Sequence, residues 1–229
     1  MKEQRVQRIL DAMKESGIPQ MIISDATAIF YLTGKWIHPG ERLLALYLNI
    51  NGNHKLVINE LFPQNKDLGV ELVWYNDMQD GVAILNEVLE HDKMIGIDKT
   101  WPARFLLRLQ ELGGAKGYVN GSPIVDGVRI VKDEEEQEKM RISSRINDEV
   151  MGELISMIGK GMSEKELSAA VRKLYDSHGC EDVSFSPITA FGKNGADPHH
   201  MTDDTKGKTG DSVVLDIGGM KDNYASDMT

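Results

Sequence analysis

A single cysteine, Cys180, occurs in 229 residues. That scarcity excludes an internal disulfide and any cysteine-rich zinc site. Cys180 follows His178 and Gly179 at a predicted helix end, where a buried structural thiol is a better reading than a nucleophile. Long apolar runs are also missing. No stretch approaches the roughly 18 residues that a membrane helix needs. The charged start Met1-Lys2-Glu3-Gln4-Arg5 is not a secretory signal. A cytoplasmic protein without a membrane partner is expected. Positive charge is in deficit, with 26 Lys and Arg against 36 Asp and Glu, for a net charge of −10. This balance argues against nonspecific binding to nucleic acid or anionic membranes. Solenoid repeats, low-complexity segments and a G-x-S-x-G nucleophile elbow are absent. Gly192-Lys193-Asn194-Gly195 lacks the spacing of a phosphate loop, and Gly218-Gly219 lacks a dinucleotide fingerprint.

What remains is an ordinary globular composition, 41% hydrophobic and 27% charged, long enough for one large or two ordinary domains. Val6, Ile9, Leu10 and Met13 recur at helical spacing before Gly17. Met21–Ser24 reads as a short buried strand, and Asp25–Ala28 as a helical turn before Ile29–Gly34. Two apolar runs, 43–50 and 54–59, flank Asn51-Gly52, a strong hairpin signal. Strands at 72–75 and 94–97 alternate with helices carrying Val82, Leu85, Val88 and Leu89, then Leu106, Leu109 and Leu112. This alternation predicts an α/β layer domain over residues 1–125. The turn-rich stretch 118–131 is the predicted boundary, and Asn120-Gly121-Ser122 is read there as a turn rather than a glycosylation site.

A second domain is predicted over 132–229. Asp133 with Glu136, and Ser163 with Glu166, make two capping boxes. The first helix should bury Ile146, Val150, Leu154 and Ile158, and stop at Gly159 or Gly161; the second should bury Leu167, Ala170, Val171 and Leu174. Ser184–Phe191 alternates as a strand and ends in the polar loop Gly192–His200.

The last nineteen residues, Asp211 to Thr229, read as strand, tight turn and strand, with Asp216 and Asp227 one in each strand. A two-residue loop at Lys221-Asp222 places the two aspartates directly opposite, with Cβ atoms about 4.5–5.5 Å apart. Carboxylates so opposed call for a proton or a cation between them. Paired divalent metals, about 3.5–4 Å apart, would fit. Two solvated aspartates on a surface ribbon are the alternative, and a bulge would separate them. His199 and His200 are adjacent, so in extended chain they point to opposite sides and would not chelate one ion together. A lone loop histidine is most often a surface residue. His199 gains weight because its loop feeds the Asp216 strand, where it could bind a metal or polarise a carbonyl.

Asp216-Ile-Gly-Gly with Tyr224-Ala-Ser-Asp227-Met-Thr229 resembles the first metal-binding motif of the pita-bread metallopeptidases. These include proline dipeptidase, Xaa-Pro aminopeptidase, methionine aminopeptidase and creatinase. Asp197-Pro198-His199 is similar to the family's substrate-side histidine segment. Ile29–Gly34 and Arg129–Glu135 resemble the N-terminal domain and junction of its proline-specific and creatinase branch. The resemblance implies a creatinase-like α/β N-terminal domain followed by the first half of an α+β pita-bread catalytic domain. It implies two divalent ions, Mn²⁺ with Co²⁺ or Zn²⁺ as alternatives, with Asp216 and Asp227 as ligands and His199 at the substrate carbonyl or tetrahedral intermediate. A proline-containing dipeptide or peptide substrate and a homodimer follow from the same resemblance. The family's other ligands, one histidine and two glutamates, fall after this motif, and no His or Glu follows Asp227. Residues 1–229 alone are therefore expected to be inactive and to hold metal weakly. A catalytically silent binding module and a creatinase-like C–N hydrolase are the competing readings.

Overall fold

The computed structural model describes residues 1–64 and 67–229. The chain divides into two compact units, Met1–Val131 and Lys132–Thr229.

In the first unit the order is α1 (Glu3–Glu15), β1 (Gln20–Ile23), α2 (Ala26–Thr33), β2 (Ala45–Asn49), β3 (Lys55–Asn59), β4 (Glu71–Tyr75), α3 (Gly81–Asn86), β5 (Met94–Ile97), α4 (Ala103–Glu111), β6 (Gly117–Asn120) and α5 (Ser122–Ile130). The strands form one mixed sheet in the order β4-β3-β2-β1-β5-β6. Side chains alternate across it. Met21, Ile23, Leu46 and Leu48 pack with Ile9, Met13, Ile29 and Ile124 from α1, α2 and α5. Ile22, Ala45 and Tyr47 pack on the other face with Val82, Leu85 and Leu109 from α3 and α4. A sheet covered on both faces needs near-continuous apolar strands, and β1 and β2 are buried at every position.

Two stretches differ from the sequence-based expectation. Residues 26–33 form a full helix, because the Asp25 carboxylate caps the N–H groups of Thr27 and Ala28 and Gly34 closes it at φ 75°. Residues 118–131, read as turn-rich, instead form β6 and α5. Pro123 lies in the first turn of α5, where its missing N–H costs nothing, and the apolar Ile124 and Val125 are buried.

The second unit comprises α6 (Glu134–Met157), α7 (Glu164–Ser177), β7 (Asp182–Val183), β8 (Ile188–Phe191), a 3₁₀ turn (Gly192–Ala196), β9 (Val213–Asp216), β10 (Gly219–Lys221) and β11 (Tyr224–Ala225). Both predicted capping boxes form. Val150, Leu154, Leu167, Val171, Tyr175, Phe191, Leu215 and Ile217 make its core. Cys180 is buried there, and burial pushes its thiol pKa up, as suits a structural residue. The predicted strand 184–191 is interrupted: β7 pairs with β10 and β8 with β9, and Pro187 lies in the break. Helix α6 buries Val150 and Leu154 of the expected stripe fully and Ile146 and Ile158 partly, and adds two polar residues to it. Ser143 and Asn147 are 1% exposed, whereas Ile146 is only half-buried. Among the described residues, no helix is long and apolar enough to cross a membrane.

Candidate metal and substrate site

The buried polar side chains of α6 explain how the aspartate hairpin is held. Ser143 Oγ donates to the Gly219 carbonyl at 3.2 Å, and Asn147 Nδ2 to the Ile217 carbonyl at 3.5 Å. The Tyr175 hydroxyl of α7 in turn donates to Asn147 Oδ1. Burial, reinforced by nearby Cys180, pushes the Tyr175 phenol pKa up, so it stays a neutral donor. At the hairpin tip the Tyr224 hydroxyl donates to Glu136 Oε1 at 3.1 Å. The Gly219 and Ile217 carbonyls also accept a backbone bond across the hairpin, from the Ser226 and Met228 N–H groups, so the α6 side chains add a second bond that ties the hairpin to the helix.

The register corrects the sequence-based pairing. Lys221 pairs with Tyr224, so the two-residue loop is Asp222-Asn223 and not Lys221-Asp222. Both loop residues have positive φ, 50° and 65°. A type I′ loop needs two such residues, and Asp and Asn tolerate that conformation where Lys does not. Ile217 then bridges Met228, with reciprocal N–H to carbonyl bonds of 2.9 and 3.0 Å. Asp216 therefore faces Thr229, whose hydroxyl donates to Asp216 Oδ1 at 2.9 Å. Asp227 faces Gly218. The aspartates are diagonal neighbours on one face of the hairpin, about 7–8 Å apart at Cα rather than directly opposed.

This diagonal offset suits a cation site better than direct opposition does. It avoids carboxylate–carboxylate contact yet keeps both groups on one side. Asp216 is half-buried and Asp227 exposed. Among the described residues, no hydrogen bond or ion pair engages the Asp227 side chain. Gly218, between them, has no side chain to intrude. A Cβ there would collide with Ser184 Oγ and the Ser226 carbonyl, and would meet Phe185 Cε1 at 2.8 Å. The Ser184 hydroxyl uses that gap to donate to the Ser226 carbonyl at 2.8 Å. The carboxylate donor set thus fits a divalent ion that prefers oxygen ligands.

His199 is exposed on the loop after the 3₁₀ turn, its N–H held by Asp197 Oδ1 at 2.9 Å. It lines a cleft of ≈ 730 Å³ together with Lys165, Arg172, Ile188 and Met201. Ile188 is the sheet partner of Asp216. Directly paired residues project from the same face. Ile188 thus brings the Asp216 end of β9 next to one wall of the cleft, while Lys165 and Arg172 of α7 form the other. His200 closes a turn that begins at Asp197, its N–H on the Asp197 carbonyl at 3.1 Å, and it lines the same cleft, so the two histidines are not split to opposite sides as extended chain would place them. The His200 Nε2 lies 2.6 Å from Glu164 Oε2, and Glu164 is 0% exposed.

Among the described residues, the only trio whose ligand atoms all lie within 4.8 Å is Glu164, His200 and Asp203. Sequence reasoning missed it, since at this helix start it singled out only the Ser163–Glu166 capping box. Its donors are already engaged. Glu164 Oε1 accepts from the Phe191 N–H at 2.8 Å and Asn194 Nδ2 at 3.0 Å; Oε2 accepts from His200 and from the Asp203 N–H at 3.2 Å. A carboxylate so saturated acts as an internal clasp rather than a cation ligand.

Burial pushes the Glu164 pKa up, but the Phe191 N–H, His200, Asn194 and Asp203 N–H outweigh it and hold the carboxyl below its ordinary value of 4.5. A depressed folded pKa adds stability that is fully present above the unfolded value and fades as pH falls through the folded one. The protection advantage of wild type over Glu164→Gln, measured by amide exchange in α7 at matched pH, should therefore be large at pH 7. It should shrink as the pH falls well below 4.5. An advantage independent of pH would show that Glu164 is not held as the anion.

Comparison with known proteins agrees with this architecture. Residues 5–131 match the creatinase/prolidase N-terminal domain, and residues 138–229 match metallopeptidase family M24. An Xaa-Pro dipeptidase of Pyrococcus horikoshii is 26% identical over 229 residues, which cover 99% of this chain and 63% of that protein. A crystal structure of a dipeptidase from the same organism superposes with a TM-score of 0.86 at 30% identity, covering 97% of this chain and 63% of the other. A prolidase from Thermococcus sibiricus gives a TM-score of 0.89 at 26% identity, covering 99% and 64%. The chain thus spans a little under two thirds of the length of these relatives. It belongs to the creatinase/prolidase family by its N-terminal domain, which stands ahead of a stretch that matches part of metallopeptidase family M24.

Proposed function

We propose that this chain supplies the N-terminal portion of a cytoplasmic, homodimeric metallopeptidase that cleaves Xaa-Pro bonds. The observation that carries the reading is the hairpin, with Asp216 and an unengaged Asp227 on one face beside the His199 cleft. The names of the relatives, Xaa-Pro dipeptidase and prolidase, supply the substrate class.

Asp216 and Asp227 would hold two divalent ions, Mn²⁺ by preference, together with ligands outside residues 1–229. When bound, the metals supply Lewis acidity and an activated water. His199 would donate a hydrogen bond to the substrate carbonyl oxygen and to the oxyanion that develops there. The exposed edge of the cleft, with Lys165 and Arg172, would leave room for the peptide's carboxylate end.

The test uses the polypeptide that carries residues 1–229 together with whatever follows them in the reading frame. Loaded with Mn²⁺, it should hydrolyse Xaa-Pro dipeptides in preference to Xaa-Ala dipeptides, while residues 1–229 alone should not. His199→Ala should lower kcat by about 10²–10³-fold. A metal-loaded protein inert toward Xaa-Pro bonds would overturn the reading in favour of a silent binding module. Preference for a small non-peptide C–N substrate would favour a creatinase-like hydrolase.

A further inference from the structure

The clasp at the start of α7 has a reach that its helix-start position hides. Four groups converge on the Glu164 carboxylate, and they come from the end of β8 (Phe191), the 3₁₀ turn (Asn194), the residue beside His199 (His200) and the descending loop (Asp203). Backbone bonds double the attachment. The N–H groups of Glu164 and Lys165 donate to the carbonyls of Thr205 and Asp203 at 3.0 and 3.1 Å. The Thr189 hydroxyl donates to the Glu164 carbonyl at 2.6 Å. The loop from 192 to 205 is thereby pinned on both sides of His199, although Gly192 and Gly195 make its first part easy to deform.

We propose that Glu164 is a positioning residue for His199. His200 ends the turn that begins at Asp197, so its bond to Glu164 fixes where that turn stands, and His199 within it. The inference rests on the reading of His199 as the group at the substrate carbonyl. Glu164 cannot touch substrate itself, since it is 0% exposed. It acts through a loop whose local tethers at His199 are the turn bond from the His200 N–H to the Asp197 carbonyl and the exposed Asp197 side chain on the His199 N–H. A misplacement of about 1 Å in a catalytic group can cost about 10²-fold in rate. An unclasped loop with two glycines allows that much movement.

The experiment compares Glu164→Gln, His200→Ala and His200→Gln in the complete metal-loaded polypeptide, each alone and combined with His199→Ala. Glu164→Gln and His200→Ala should lower kcat by about 10- to 100-fold, with bound metal per subunit unchanged. His200→Gln, whose amide can still donate to Glu164, should recover most of the loss. In the His199→Ala background both variants should cost less than about twofold more, because their effect runs through a group already removed. A merely structural residue would lower activity by the same factor in either background, and that result overturns the proposal. Full activity in Glu164→Gln with His199→Ala defective overturns it alone. An inert His199→Ala substitution removes the reading of His199 and this inference with it. If Glu164→Gln does not fold, the His200 pair decides, since His200→Ala breaks only one of the four bonds to Glu164.

Discussion

Asp216→Asn in the complete metal-loaded polypeptide should lower kcat/KM for an Xaa-Pro dipeptide by about 10³-fold or more. A bound metal contributes several kcal/mol of charge stabilisation to such a reaction. Each 1.36 kcal/mol is a factor of ten, so losing most of that contribution gives this magnitude. The substitution is close to isosteric, and the amide oxygen can still accept the Thr229 hydroxyl that now reaches Asp216 Oδ1. Asp216 is half-buried at the end of β9 and carries no ion pair among the described residues, so folding should be little changed. Titration calorimetry with Mn²⁺ should show a lost or weakened site, and the circular dichroism spectrum should be that of wild type. Asp227→Asn should behave alike. Undiminished metal stoichiometry in either variant would show that the hairpin carboxylates are not ligands.

Gly218→Ala should destabilise the second unit and weaken metal binding together. The added methyl meets Ser184 Oγ and the Ser226 carbonyl, neither of which is the free end of a long side chain. Overpacking of this sort costs typically 1–3 kcal/mol, and more where backbone must move. Relief requires breaking the Ser184–Ser226 bond or opening the strand pair, and the residue opposite Gly218 is Asp227. Faster amide exchange in β10 and β11 should therefore accompany a weaker Mn²⁺ affinity. Gly152→Ala is the control. It lies in the exposed interior of α6, where a Cβ meets nothing within 4 Å. There the same chemical change should stabilise by about 0.5–1 kcal/mol. Equal tolerance at both positions would mean that the hairpin can shed the clash cheaply.

Much of this was legible in the residues, for reasons that can be named. The N-terminal helix, β1 and β5 follow from apolar spacing alone, since both faces of their sheet are covered. The capping boxes at Asp133 and Ser163 are local chemistry, complete within four residues. The aspartate pair and His199 could be singled out by residue type and place. The register of the hairpin could not, because it turns on which two residues accept positive φ. A stricter weighing of Lys221 against Asn223 would have favoured the observed loop. Ser143 and Asn147 were passed over because a buried stripe was sought among apolar residues. The carbonyls they serve lie 76 and 70 residues away, and no local pattern reveals them. Glu164 was illegible for the same reason, as its partners are 27 to 39 residues distant.

The tight loop at Asp222-Asn223 carries a consequence for how this segment can vary. Side chains along a strand alternate between faces, so a shift of one residue moves a whole strand's worth to the opposite side. Inserting or deleting a single residue between Lys221 and Tyr224 would leave Asp216 where it is, anchored through β8. It would carry Asp227 to the far face, and Ser226 with it out of its bonds to Gly219. The hairpin can therefore exchange its tip residues only for others that accept positive φ, such as Gly, Asn or Asp, and its length is fixed: a change of one codon in length is not tolerable.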